Sequence, residues 1–144
     1  LVLTLAWIVP SANGFGRTLD GLVEMGEWLR ENTGEDEVVA AYDIGALGWS
    51  SRRTILDLGG LVNEGINDLR NEVDDREILH DGLFLDYGDP AWLVDRDLYG
   101  PVLDGKVLRG RRCEKVLERR VENLGLTRPL PVVYTLYRLV PAGP

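Results

Sequence analysis

The chain is poor in the residues that build metal, redox and nucleophilic sites. Its 144 residues include a single cysteine, Cys113, and a single histidine, His80. The cysteine has no partner for an intrachain disulfide, and zinc sites need several Cys or His ligands, which the chain does not supply. A Ser-His-Asp triad would depend on His80, and no G-x-S-x-G turn is present to expose a serine. We therefore predict no metal and no cofactor, and we interpret His80 as a polar helix residue.

Positive charge is also scarce. The chain has 16 Lys and Arg residues against 24 Asp and Glu residues, which gives a formal net charge of −8. Because binding to a phosphate backbone requires clustered cations, we predict no nucleic-acid partner. One basic cluster runs from Arg109 to Arg120, and such a cluster suits anionic lipid headgroups. Pairing with the interleaved Glu114, Glu118 and Glu122 is the favoured interpretation.

No apolar run reaches the roughly 20 residues that a transmembrane helix needs. The first ten residues, Leu1–Pro10, are apolar and uncharged, and because residue 1 is leucine we expect a fragment or a processed chain. The basic n-region and small-residue cleavage site of a signal peptide are missing. Two interpretations stay open for this run: a buried strand, or the last turns of a transmembrane helix. We expect residues 1–17 to be a linker or the end of such a helix, followed by one soluble domain over residues 18–144.

The pattern of apolar residues predicts an α/β domain. Hydrophobic residues make up 44% of the chain and charged residues 28%, which indicates a globular rather than a disordered chain. Short apolar runs closed by turn residues predict strands at Val38–Tyr42, Thr54–Leu58, Ala91–Val94 and Pro131–Val140. Helices are predicted after a cap at Thr18, as a short helix in Gly45–Ser51, as a helix or loop at Asn63–Arg70, and at Arg76–Leu85.

Two segments of the C-terminal half are harder to assign. Asp95–Lys106 is rich in Asp, Gly and Pro, which predicts a loop. Cys113–Leu124 fits a helix by its spacing and a strand by its valines, and both interpretations stay open. The order of elements indicates a three-layer arrangement with a mixed, partly parallel sheet, flanking helices and a β-rich C-terminal tail.

Two aspartates stand where predicted strands end. Asp43 follows the first strand, and Asp57 closes the second. In open α/β sheets, ligands bind outside the carboxyl ends of the strands, so two carboxylates there suit sugar hydroxyls or a cation. The favoured alternative is that each aspartate caps the turn or helix that follows it.

The glycines near these aspartates do not complete a cofactor fingerprint. Gly59 follows the second strand as in a methyltransferase loop, but the next alternate positions are Leu61 and Asn63. Gly45 and Gly48 form only a GxxG, without the third glycine of the dinucleotide motif. A soluble Rossmann-like enzyme is therefore disfavoured.

A family resemblance runs through the first half of the chain. The segments that match are Met25–Thr33 (MGEWLRENT), Val38–Ala40, Asp43–Gly48 (DIGALG), Arg53 and Asp57–Val62 (DLGGLV). In this order and spacing they resemble the start of the extracytoplasmic C-terminal domain of polytopic GT-C type membrane glycosyltransferases. The group is similar to the protein O-mannosyltransferases and aminoarabinose transferases. The resemblance covers roughly residues 19–65, and Val133–Leu139 is similar to the usual closing strand.

The resemblance implies a function that the residues alone do not. It implies a soluble domain at the cell membrane, on its extracytoplasmic side, that covers the active site of a transferase using a lipid-linked sugar donor and helps to position the acceptor. The catalytic aspartate of such enzymes lies in the transmembrane bundle, so no catalytic residue is carried over and the domain is not expected to be catalytic alone.

The implied partners are the transmembrane part of the same polypeptide, the membrane surface, and a lipid-linked sugar or glycan acceptor. Candidate ligand or architectural positions are Asp43, Gly45, Arg53, Asp57 and Gly60, most of them expected to be architectural. The alternative function is a stand-alone ligand-binding or protein-interaction domain with a pocket near Asp43 and Asp57.

Overall fold

A computed structural model describes residues 19–97, 101–121 and 131–143. Residues 19–32 form helix α1. The remaining helices are α2 (Ile44–Ser51), α3 (Glu64–Glu72), α4 (Asp75–His80) and a 3₁₀ helix (Leu83–Asp86). The strands are β1 (Val38–Ala41), β2 (Thr54–Asp57), β3 (Trp92–Asp97), β4 (Val107–Leu108), β5 (Arg111–Val121) and β6 (Val132–Pro141). The cap predicted at Thr18 and the two interpretations of Leu1–Pro10 lie outside the described residues.

The described strands form one mixed sheet in the order β2-β1-β3-β6-β5-β4. β1 pairs in parallel with β2 and β3, whereas the pairs β3–β6, β6–β5 and β5–β4 are antiparallel. The parallel half comes from the alternating helices and strands, and the antiparallel half from the β-rich C-terminal part. The predicted α/β class with a partly parallel sheet is therefore confirmed.

The core lies in two layers, one on each face of the sheet. Successive strand residues point to opposite faces, so Val39 packs with Met25 and Leu29 of α1, while Ala40 packs with Ile66 of α3 and Ile78 of α4. Both layers are almost fully shielded from water. Helices therefore cover both faces, and functional side chains are left to the two ends of the strands.

Two predictions about elements are corrected, and one open assignment is settled. Asp95–Lys106 is not a loop throughout, because its first three residues continue β3 by antiparallel pairing with β6. Arg76–Leu85 is not one helix, because Gly82, with φ of +70°, separates α4 from the 3₁₀ helix. The open assignment of Cys113–Leu124 is settled as a strand as far as Val121, and residues 122–124 lie outside the described part.

Candidate functional site

One edge of the sheet gathers most of the polar side chains that follow strands. The parallel strands β1, β2 and β3 all end there, and β6 begins there, since Arg96 of β3 pairs with Tyr134 of β6. Helix α1 runs the opposite way: Gly21 lies against Val121, at the end of β5, and Trp28 packs edge-on against Trp92, at the start of β3. We call this surface, formed by the ends of the strands, the strand-end edge, and the surface at the other ends of the strands the opposite edge; neither name refers to the edge strands β2 and β4.

The strand-end edge comprises residues 42–43, 58–62 and 95–97, Tyr134 and the first described turn of α1. The opposite edge holds the end of α1, the end of α2 and strand β4.

Asp43 forms the centre of an ion-paired cluster at the strand-end edge. The guanidinium of Arg96 donates from Nη1 to both carboxylate oxygens of Asp43, at 2.9 and 2.7 Å. The hydroxyl of Tyr134 donates to Oδ2 of Asp43 at 3.0 Å. The side chains of Asp43 and Arg96 are about one third exposed, at 32% and 27%. The cluster ties β1, β3 and β6 together and leaves Asp43 electrostatically compensated.

The hypothesis that Asp43 caps the following helix is wrong. Asp43 occupies the N-cap position of α2, but its side chain accepts no capping hydrogen bond. The carboxylate instead turns towards Arg96 and Tyr134, which together donate three hydrogen bonds to it, including the ion pair with the guanidinium. The partner could not be seen from local sequence, since Arg96 lies on a strand 53 residues away.

Asp57 has the contacts of a turn cap. Its Oδ1 accepts from the backbone N–H of Gly59 and its Oδ2 from that of Val62, both at 2.8 Å. Gly60 lies between them at φ of +71°, where a Cβ would come within 2.8 Å of the Cα of Asn67. The loop after β2 is thus held in one shape by a buried carboxylate and a glycine.

The other two candidate positions lie away from this edge or contribute little to it. Arg53 is buried at the opposite edge, where its guanidinium donates to the carbonyl of Arg30 at 2.9 Å and to that of Thr33 at 2.8 Å. It therefore closes the carbonyl end of α1. Gly45 lies in the first turn of α2, and a Cβ there would meet nothing within 4 Å.

A cleft opens beside the ion-paired cluster, on the other face of the sheet. It has a volume of about 200 Å³ and lies between α4 and the end of β3, lined by Tyr42, Asp75, Arg76, Leu79, His80, Asp95, Arg96 and Asp97. Carboxylates, a guanidinium and aromatic rings converge there, which suits a ligand carrying several hydroxyls.

Electrostatics in the cleft favour neutral forms. Asp95 is 3% exposed, and burial raises its pKa to about 6, with a further rise from the charge of Asp97 that Arg96 partly offsets. Burial also raises the pKa of Tyr42 well above its usual range, and the charge of Asp75 adds to that rise. The pKa of His80 is lowered by burial and then by the nearby Lys106 and Arg76 cations. Near neutral pH, Tyr42 and His80 are uncharged hydrogen-bonding groups.

Sequence reasoning missed most of the cleft. Asp95, Arg96 and Asp97 stand in a segment predicted to be a loop, and Tyr134 stands in a strand chosen for its β propensity. The available signal was the charged triplet directly after the apolar run Ala91–Val94. A triplet of this kind on a strand puts Asp95 and Asp97 on one face and Arg96 on the other.

The carboxylates of this edge differ in their partners and in their access to solvent. Asp43 and Asp57 hold internal partners and Asp95 is buried, whereas Asp75 is exposed and Asp97 is partly exposed, and both of these line the cleft. Within the described ranges, no group of three or more His, Cys, Asp and Glu side chains is placed to hold a metal ion. Across the same residues, no helix is both long and apolar enough to cross a bilayer.

Comparison with known proteins gives one match. A family model described as a domain of unknown function, DUF8728, matches residues 14–137. No curated protein and no solved structure matches the chain.

Proposed function

The chain belongs to the family described as domain of unknown function DUF8728, a description that names no activity. On the resemblance over residues 19–65 and the surface features below, we propose that it is an accessory domain of a membrane glycosyltransferase. In this proposal the domain lies on the extracytoplasmic side and is not catalytic alone. It covers the active site of a membrane-embedded part that uses a lipid-linked sugar donor, and it helps to position the acceptor. The strand-end edge is the surface that faces the membrane part.

The observation that carries the proposal is the loop after β2. Leu61 and Val62 are 81% and 77% exposed, although both are large apolar residues. Asp57 and Gly60 hold this loop in one conformation, so the two side chains are presented to solvent by a built turn. Rigidly exposed apolar side chains indicate a surface that is covered in the working assembly.

Two further features of the strand-end edge support the same placement. The chain enters α1 at this edge, and only residues 11–18 separate α1 from the apolar run Leu1–Pro10. The cleft around Asp95 opens at this edge too, and its acceptors and donors suit the hydroxyls of a glycan acceptor. If the opposite edge faced the membrane part, the apolar loop could not contact that part and the cleft could not hold an acceptor beside its active site.

The first test is the native gene product in its own cells. We expect a product far larger than 16.1 kDa that fractionates with membranes. A soluble product close to that mass would overturn the proposal, and it would favour a stand-alone ligand-binding domain that uses the cleft around Asp95.

A second test asks which edge is covered. Cys113 is buried with a pKa raised to about 11 by burial, so it reacts poorly and adds little background to the labelling of an introduced cysteine, and the parent protein labelled in parallel corrects for any cysteines outside this domain. In intact cells, a membrane-impermeant maleimide should label Val107→Cys, on β4 at the opposite edge, and should spare Leu61→Cys. Equal labelling of both would contradict the proposed orientation, and labelling of Val107→Cys only after lysis would contradict the extracytoplasmic side.

A further inference from the structure

A groove at the opposite edge of the sheet holds the most exposed aromatic ring of the described residues. Trp49 is 86% exposed and stands on the wall of a groove of about 490 Å³ between α1 and α2, lined by Val23, Glu27, Arg30, Gly48, Trp49, Ser50 and Arg52. A depression of about 560 Å³ shares Arg30 and Arg52 with it and extends to Glu35 and Arg53. The two together form one elongated groove, which we call the Trp49 groove.

The wall that carries Trp49 is fixed by close packing of the two helices. A Cβ on Gly26 of α1 would lie 1.9 Å from Oγ of Ser50 on α2, so the helices meet at van der Waals contact. The Ser50 hydroxyl donates back to the carbonyl of Ala46 at 2.7 Å and is buried in the contact. Trp49 therefore projects from a rigid helix and not from a loop.

The floor of the groove carries three arginines, Arg30, Arg52 and Arg53, and two glutamates, Glu27 and Glu35. Arg52 lies at φ of +54°, an uncommon conformation for a residue with a side chain. Arg53 is turned inward onto the carbonyls of α1. The other two guanidinium groups that line the groove are those of Arg52 and of Arg30, whose Nη2 lies 3.9 Å from a carboxylate oxygen of Glu31. Glu27 stands beside them as an acceptor.

This set of groups points to one class of ligand. A flat, exposed indole offers an apolar face against which the C–H face of a sugar ring can be buried. The Glu27 carboxylate accepts from hydroxyls, which both donate and accept, and the forked guanidinium groups match a carboxylate bidentately. The volumes of the two parts of the groove, about 490 and 560 Å³, fall in the range of ligand sites.

We propose that the Trp49 groove binds an acidic glycan, with a uronic-acid pyranose stacked on Trp49 and its carboxylate held by Arg30 and Arg52. The site is separate from the strand-end edge and operates whether or not the domain lies against a membrane part. Its test in solution is therefore independent of the orientation proposed above.

The test uses the purified chain with two probes of equal length, a glucuronic-acid oligosaccharide and a neutral glucose oligosaccharide. The Nε1–H signal of Trp49, assigned with Trp49→Phe, should shift on titration with the acidic probe, and the neutral probe should bind about tenfold more weakly for want of one charge-assisted pair. Trp49→Ala should weaken binding of the acidic probe at least about tenfold, while Trp49→Phe should retain part of it.

The arginine variants separate binding from folding. Arg52→Gly relaxes the positive φ, so the thermal midpoint should be unchanged or higher while affinity for the acidic probe falls by about tenfold. Arg112→Ala, which removes an exposed charge of the same sign on β5, is the matched control and should bind like the parent chain. Equal binding of both probes, no shift of the Trp49 signal, or an affinity loss in Arg112→Ala as large as in Arg52→Gly would each overturn the proposal.

Discussion

At the scale of single residues, the strand-end edge contains three aspartates whose carboxylates accept hydrogen bonds from different donors. Asp43 has a guanidinium and a phenol, Asp57 has two backbone N–H groups, and Asp95 has one, from Arg96 at 2.7 Å. Burial raises the pKa of Asp95 to about 6, which favours the neutral form of this carboxyl relative to an exposed aspartate. Three aspartates that each lie at or near the end of a strand therefore have different hydrogen-bond partners and different burial.

The Asp43 cluster gives the first prediction. Tyr134→Phe removes the hydroxyl that donates to Asp43 and should lower the free energy of unfolding by about 1.5 kcal/mol, the lower end for a hydrogen bond to a charged group. Urea denaturation measures it, and Tyr87→Phe, at a ring that is 40% exposed, is the control. In the Asp43→Asn background the same Tyr134 substitution should cost less. Equal costs in both backgrounds would show that the hydroxyl acts independently of Asp43.

Asp95 gives the second prediction, which concerns pH. Its folded pKa of about 6 lies above the usual value for an aspartate of about 3.9, so the folded state binds more protons between these values and stability falls as pH rises through them. Relative to Asp95→Asn, the parent chain should lose about 2–3 kcal/mol of unfolding free energy between pH 4 and pH 7. His80 has its pKa shifted in the opposite sense, and because both proteins carry it, the difference between them isolates Asp95. Parallel pH curves for the two proteins would contradict the burial of this carboxyl.

At the scale of elements, local signals predicted what local interactions determine. β1, β2 and α2 were found from apolar runs and turn residues because each is bounded by its own glycines and aspartates. The extension of β3 to Asp97 was not found, because it depends on hydrogen bonds to β6, which begins 35 residues later in the chain. The cleft and the Asp43 cluster depend on that extension. The sequence therefore indicated that functional side chains lie at the strand-end edge, but not which side chains of β3 and β6 lie there.

The loop after β2 gives a prediction at this scale. Gly60→Ala places a Cβ at positive φ and against the backbone of Asn67, which should lower the free energy of unfolding by at least about 1–2 kcal/mol. Gly45→Ala is the matched control, because a Cβ there meets nothing and alanine favours a helix by about 0.5–1 kcal/mol. Thermal unfolding should therefore move in opposite directions for the two variants. A Gly60→Ala protein as stable as Gly45→Ala would mean that the loop is not held in one conformation.

At the scale of the whole molecule, the two edges of the sheet have different chemistry. The strand-end edge combines compensated or buried carboxylates with the exposed Leu61 and Val62, and the opposite edge combines Trp49 with arginines in a chain of net charge −8. A domain with two such surfaces is suited to link one partner to another. The mixed sheet between them, covered by helices on both faces, fixes their separation.

The accessory role proposed above predicts that the purified chain binds without turning over substrate. Incubated with a polyprenyl-phosphate-linked sugar and a glycan acceptor, it should release no free sugar and form no product, because in the proposed role the catalytic residues lie in the membrane part. Chromatographic detection of released sugar is the measurement, with the membrane fraction carrying the native gene product as the positive control. If the purified chain releases sugar and Asp95→Asn abolishes that release, the accessory role is contradicted, since the cleft beside β3 would then be catalytic.

If Asp95→Asn leaves the release unchanged, the measurement is repeated with Asp43→Asn and Asp57→Asn. Release that all three variants retain would point to a contaminating hydrolase, whereas a loss in either of the last two would show that another carboxylate of this edge takes part.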